Sequence, residues 1–155
     1  MSPEEVLAVV NATANASMEA YYWWCTAIMV CIHAGFMMYE MGVSRAKNVL
    51  ASGVKNILAF AFMIPTFFLL GWWLYWAYQS NNIFIPDASA AAFALPWSEN
   101  MGPNLQDGAS GVFWAAFTLF AATTASIVSG SVIERIRMSS WIILATLVGS
   151  VVWII

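Results

Sequence analysis

Three long, uninterrupted apolar runs, residues 20–39, 57–78 and 112–133, limit this chain to one kind of fold. About 20 such residues in a helix cross the ~30 Å hydrocarbon layer of a bilayer. A fourth run starts near residue 140 and is still apolar at Ile155, with no polar flank, turn residue or basic anchor after it. The expectation is that the chain stops inside a fourth span (residues 140–155), as the opening part of a longer protein. The runs lack the alternation that marks a barrel strand, and a helix satisfies its own backbone groups in lipid. The chain is 62% hydrophobic and 8% charged, against about 25% charged in soluble domains. An all-α polytopic membrane protein is the expected class, with residues 20–155 as its membrane domain. Pro65 removes one backbone donor from the second run and is expected to kink it.

Orientation follows from the basic residues. Arg45, Lys47 and Lys55 lie between the first and second runs, and Arg135 and Arg137 between the third and fourth. Residues 1–19 and 79–111 hold no Lys or Arg and carry Glu4, Glu5, Glu19, Asp87, Glu99 and Asp107. The positive-inside rule makes both basic loops cytoplasmic and places residues 1–19 outside the cell membrane. Tyr21, Tyr22, Trp23 and Trp24, then Trp72, Trp73, Trp76 and Tyr78, then Phe113 and Trp114 fall at the outer ends, as an interfacial aromatic belt would. The outer loop contains Pro86, Pro96 and Pro103 and has room for a short surface helix near residues 88–95. A net charge of −3 argues against nucleic acid as a partner.

The third run is rich in small and hydroxyl residues. Ala122, Ser126 and Gly130 form one small-xxx-small row, and Ala121, Ala125 and Ser129 a second. Such rows let helix backbones approach closely, so this helix is expected to pack centrally, with the question open whether part of it also lines a pathway. Phe117 and Phe120 near its outer end suit core packing or a hydrophobic constriction. His33 is the lone histidine and lies within a span, where it suits either a hydrogen-bonded packing role or contact with a substrate or proton. Glu40, at the inner end of the first run, is expected to pair with nearby Arg45 or Lys47, and Glu134 with Arg137 at helical spacing. Met37, Met38 and Met41 read as adaptable core filler. Cys25 and Cys31 sit about 240° apart around a helix axis and cannot bond to each other there. Nucleophile–base pairs, phosphate loops and metal-binding cysteine pairs are absent from the sequence, so neither catalysis, a metal nor a cofactor is expected.

AGFMMYEMGVSRAKNVLASGVKN, residues 34–56, resembles the first-helix signature of the ammonium transporter family (Amt/Mep/Rh): Gly35-Phe36, Glu40-Met41-Gly42 and Arg45-Ala46-Lys47-Asn48. FAATTASIVSGSVIERIRMSSW, residues 120–141, resembles its third-helix block through Ser129-Gly130 and Glu134-Arg135. The resemblance implies the first four transmembrane helices of an eleven-helix, homotrimeric fold with a pore in each protomer, ammonium or ammonia as substrate, the lipid bilayer as surroundings and a possible cytoplasmic regulator. It implies that Phe120 is one of two outer gate phenylalanines and that Phe36, Tyr39 and Ile127 line the inner part of the pore. Aromatic faces attract a cation, and a narrow apolar pore rejects hydrated ions. The family's twin pore histidines, second gate phenylalanine and recruiting aspartate belong to helices beyond this sequence; His33 stands where the family more often has Gln. These residues alone are therefore not expected to conduct. An ammonium-sensing membrane domain of a signalling receptor is the alternative, and a four-helix redox enzyme using Cys25 and Cys31 a distant third.

Overall fold

The chain's structure, a computed structural model, describes residues 2–91, 93–96 and 110–155. Glu99, Pro103 and Asp107 of the outer loop lie outside the described residues. Helices account for every regular element among those described, with no strand.

The first helix, α1, runs Pro3–Val43. It starts at Ser2, whose hydroxyl accepts from the Glu5 amide while the Glu5 carboxylate accepts from the Ser2 amide. This reciprocal box satisfies two of the donors every helix start leaves open, and Pro3 supplies a preset φ at the first helical position. No Gly or further Pro interrupts the chain until Gly35. Helix therefore continues back through residues 3–19, ahead of the first apolar run. At about 1.5 Å per residue, 41 residues reach roughly 60 Å, twice the hydrocarbon thickness, and Val6, Leu7, Val9 and Val10 are exposed. Ser44 ends the helix, its amide and hydroxyl both donating to the Glu40 carbonyl.

A 3₁₀ turn, Ala46–Asn48, leads into α2, Val49–Thr66, then a π turn, Phe67–Gly71, and α3, Trp72–Gln79. Together they form one helical stretch, Ala46–Gln79, long and apolar enough to cross a membrane. Pro65 sits inside α2, and the π turn follows two residues later. Helix thus begins well before residue 57, and Lys55 belongs to α2 instead of a loop. In the outer loop the short helix is α4, Ala88–Ala91. Helix α5 spans Ser110–Ser131, and α6, Met138–Leu147, continues into a second π turn, Val148–Val152.

Helix α5 is the centre, packing chiefly on α1 and also on α2, α6 and the second π turn. Ala121 and Ala122 join Met63, Phe67, Trp72 and Ile154 in the outer core cluster. Ala125 joins Ala59, Trp141 and Ala145 in the inner one. Ala122, Ser126, Ala121, Ala125 and Ser129 are all buried, as close packing of small faces requires. Gly130 departs from its expected row: it is exposed, and a Cβ there would meet nothing within 4 Å. Eight residues advance about 80° beyond two full turns, which carries Gly130 off the face that begins at Ala122. The close approach belongs instead to Gly149 in the second π turn. A Cβ there would lie 2.7 Å from Met63 Cγ and 3.2 Å from the Ala121 carbonyl oxygen.

The outer aromatics divide. Trp23 and Trp24 are exposed, as belt residues are, whereas Trp72 is fully buried. Its indole donates to the Phe93 carbonyl at 2.7 Å, and that of Trp73 to the Phe84 carbonyl at 2.8 Å, tying the outer loop to α3.

Candidate functional site

Charge inside a membrane-length helix costs free energy, about 3 kcal/mol at the bilayer centre on insertion scales, so such residues mark sites. Here two helices bring theirs together at the end of the bundle carrying the basic loops, and two more supply neutral partners. Glu40 of α1 is 1% exposed and Lys55 of α2 is 6% exposed. Lys55 Nζ lies 3.3 Å from Glu40 Oε2 and donates to the Ser129 carbonyl of α5 at 3.2 Å. Asn56 Nδ2 donates to Glu40 Oε2 at 2.8 Å, and the Ser129 hydroxyl donates to Glu40 Oε1. Trp141 of α6 places its ring 5.1 Å from Lys55 Nζ and donates its indole N–H to the Lys55 carbonyl at 3.1 Å. One carboxylate thus gathers a cation, an amide and a hydroxyl from the two neighbouring helices. The expected partners of Glu40 were Arg45 and Lys47. Both instead follow the end of α1 and are exposed, while Lys55, inside α2, turns inward.

Beneath this cluster Glu134 bridges the two basic loops. Its Oε1 accepts from the Arg45 backbone amide at 2.8 Å, and its Oε2 from Arg45 Nε at 2.7 Å. A hydrogen bond from Asn48, the Arg45 amide and the Arg45 guanidinium hold its carboxyl below the usual carboxylate range. The expected Glu134–Arg137 pair does not form, because α5 ends at Ser131 and Glu134 takes a left-handed turn, φ 58°. Arg137 instead sits at the start of α6. The Arg45–Glu134 contact puts both basic loops at one end of the bundle.

His33 Nδ1 lies 3.2 Å from the Ser126 hydroxyl, and its ring lies 4.7 Å from that of Phe60. Nε2 is buried without a hydrogen-bond partner among the described residues. The ring borders an apolar groove of about 220 Å³ between α1 and α2, lined also by Val30, Met37 and Ile57.

The two α5 phenylalanines part company. Phe117 sits in the aromatic core, 4.4 Å from Trp153 and 4.7 Å from Tyr75, ring centre to ring centre. Phe120 is 44% exposed, with no aromatic ring paired to it among the described residues. Ile127, seven residues on and so on the same side of α5, is 59% exposed. Tyr39 is exposed on α1, and Phe36 is half-buried at the margin of that helix's packed stripe. Cys25 and Cys31 are free, and no three His, Cys, Asp or Glu among the described residues converge to hold a metal.

The sequence did not reveal the buried role of Lys55, Asn56 and Trp141. A signal existed: in the second turn of a largely apolar helix, Lys55 needs a buried anion, and Glu40 is the carboxylate at the matching depth.

Three helices of membrane-crossing length with a fourth shorter apolar one, joined by an intramembrane ion pair and by basic loops at one end, define a polytopic helical membrane protein. Residues 20–155 match the Ammonium Transporter Family, and the chain belongs to that family. It is 32% identical to ammonium transporter Amt2 of Archaeoglobus fulgidus over 90% of this chain and 28% of that protein. It is 31% identical to Amt2 of Haloferax mediterranei over 83% of this chain and 27% of that protein. With ammonium transporter Amt1 of Methanocaldococcus jannaschii it shares 25% identity, over 86% of this chain and 30% of that one. The chain therefore spans under a third of the length of each of these relatives. No solved structure gives a significant match.

Proposed function

We propose that this chain forms the first helices of a transporter that carries ammonium or ammonia across the cell membrane, with Phe120 shaping the outer entrance and Ile127, Tyr39 and Phe36 lining the inner part of the path. The observation that carries the reading is the exposed Phe120–Ile127 stripe on α5, the helix at the centre of the packing. Large apolar side chains left open on a central helix are suited to a narrow water-poor pathway completed by further helices. Membership of the Ammonium Transporter Family supplies the substrate. An exposed phenyl face can hold a cation, and desolvation strengthens that contact.

The reading extends to orientation and assembly. All five basic residues lie toward the end where Arg45 meets Glu134, which favours that end as cytoplasmic and residues 1–19 as outside. Exposed apolar side chains such as Ile28, Leu50, Ile57 and Ile143 leave room for further helices and for neighbouring protomers of a homotrimer. The cytoplasmic end, with Lys47, Arg135 and Arg137 exposed, is the face a cytoplasmic regulator would meet.

The test is a chimera in which residues 20–155 replace the matching part of the Archaeoglobus relative, assayed by labelled methylammonium uptake in cells lacking other ammonium carriers. The chimera is expected to transport, and Phe120→Ala to change uptake or its selectivity over potassium with normal amounts of protein in the membrane. Unchanged flux and selectivity in Phe120→Ala would remove the gate role; an inactive but well-folded chimera would count against the pathway as a whole.

A further inference from the structure

We propose that Glu40, the Ser129 carbonyl and the face of Trp141 form a receptor for a primary ammonium group, and that Lys55 fills it as a tethered ligand. An –NH₃⁺ group offers three donors and a compact charge. Here Nζ meets a carboxylate oxygen at 3.3 Å, a carbonyl oxygen at 3.2 Å and an indole ring at 5.1 Å. Carboxylate, carbonyl and aromatic face are the three kinds of group that recognise an alkylammonium ion.

The walls stand without the lysine side chain. Asn56 and the Ser129 hydroxyl hold the Glu40 carboxylate, one on each oxygen. Trp141 is anchored through its indole N–H to the backbone carbonyl of residue 55, which any substitution there retains. A cavity of about 180 Å³, bordered by Asn48, Ser52, Glu134, Ile136 and Met138, reaches Lys55 itself from the loop end. Cutting Lys55 back to Ala removes Cγ, Cδ, Cε and Nζ, and n-propylammonium has those atoms. In the native chain the resident amine closes the site to free cations. This inference uses only the geometry of the four helices and does not rest on the transport reading.

Chemical rescue tests it. In detergent, the melting temperature of Lys55→Ala is expected to fall below that of the wild type. It is then expected to climb with the logarithm of n-propylammonium concentration, as binding to the folded state alone requires. Methylammonium and ammonium should act more weakly. Sodium and tetramethylammonium at the same ionic strength should do nothing, and the wild type should not respond. Glu40→Gln in the Lys55→Ala background should abolish the climb. Equal rescue by sodium or tetramethylammonium, rescue that survives Glu40→Gln, or no rescue at all overturns the proposal. Should Lys55→Ala fail to accumulate, expression with n-propylammonium in the medium is expected to restore it. If it stays unfolded there while Glu40→Gln/Lys55→Met folds, the proposal is likewise overturned.

Discussion

Neutralising one member of the Glu40–Lys55 pair should cost far more than neutralising both. The size of the effect turns on burial. An exposed ion pair contributes about 0.2–1 kcal/mol, but side-chain exposures of 1% for Glu40 and 8% for Lys55 put this pair among the buried ones. Removing one partner of a buried pair leaves the other charge uncompensated and costs roughly 3–5 kcal/mol. In Glu40→Gln the ammonium loses its anion and keeps only neutral partners, the Ser129 carbonyl, the Trp141 ring and the new amide oxygen. In Lys55→Met the carboxylate keeps its two neutral donors, Asn56 and Ser129, and no cation. Each single variant should therefore lose about two to three and a half decades in its folding equilibrium constant, at ~1.4 kcal/mol per decade. The double variant Glu40→Gln/Lys55→Met retains an amide that can accept from Asn56 or Ser129 and gains an apolar chain of similar length. It should recover most of the loss, since well-packed neutral replacements of buried pairs are often neutral or stabilising. The assay is reversible unfolding of the chain in mixed micelles, followed by far-ultraviolet circular dichroism, for wild type, both singles and the double. Singles within about 1 kcal/mol of wild type would show that water reaches the pair and would refute the reasoning. So would a double variant as unstable as the sum of the two singles.

Other expectations concern separate parts of the molecule. The Glu134 carboxyl titrates below its ordinary value of 4.5 in the fold because Asn48 and Arg45 bond to its charged form. Its stabilising effect is present above the unfolded value and is lost as pH falls through the lower folded one; carbon-13 titration of the side chain should give a midpoint under 4.5, and slowed exchange of the Arg45 amide should vanish in the same acid range. Gly149→Ala should cost about 1–3 kcal/mol, because the new methyl overlaps Met63 and presses on the Ala121 carbonyl. Gly130→Ala, with open space around it, should be neutral or stabilising by up to ~1 kcal/mol through helix propensity; unfolding titrations of the two variants decide both. Phe117→Ala, half-buried against the aromatic cluster, should lose about 1–3 kcal/mol, while Phe120→Ala in the same titration should stay within about 0.5 kcal/mol.

Hydropathy and loop charge were enough to reveal the helical membrane class, because a bilayer leaves few ways to satisfy a backbone. The central place of α5 was legible in its small residues, and Ala122 and Ser126 pack as such a face must. Gly130 leaves that face because equal spacing by four drifts around the helix. The partners of Glu40 and Glu134 are not legible from spacing, because proximity in sequence is not contact. Glu134 reaches 89 residues back to Arg45 across two loops that only the packed bundle brings together. Lys55 reads as a loop cation because the apolar run starts after it, yet the helix begins at Val49. Nor does hydropathy separate Phe117 from Phe120. They lie about 60° apart around one axis, and that angle turns one into the core and the other out.

The two π turns shift the sequence register of the buried face in both helices that carry them. Along the second helical stretch the buried positions advance by four, Ala59 to Met63 to Phe67, then by five to Trp72; along the last helix they advance by four, Trp141 to Ala145 to Gly149, then by five to Ile154. Each π turn absorbs one extra residue by underwinding, so the buried face continues in line although the sequence spacing slips by one. Because the turns lie side by side, both slips fall at one depth and the outer halves of the two helices stay meshed. A single-residue deletion in Phe67–Gly71 would let an ordinary α-turn carry Trp72 and Ala77 on the same buried face, whereas a deletion within Val49–Thr66, away from the π turn, would have no such slack to draw on.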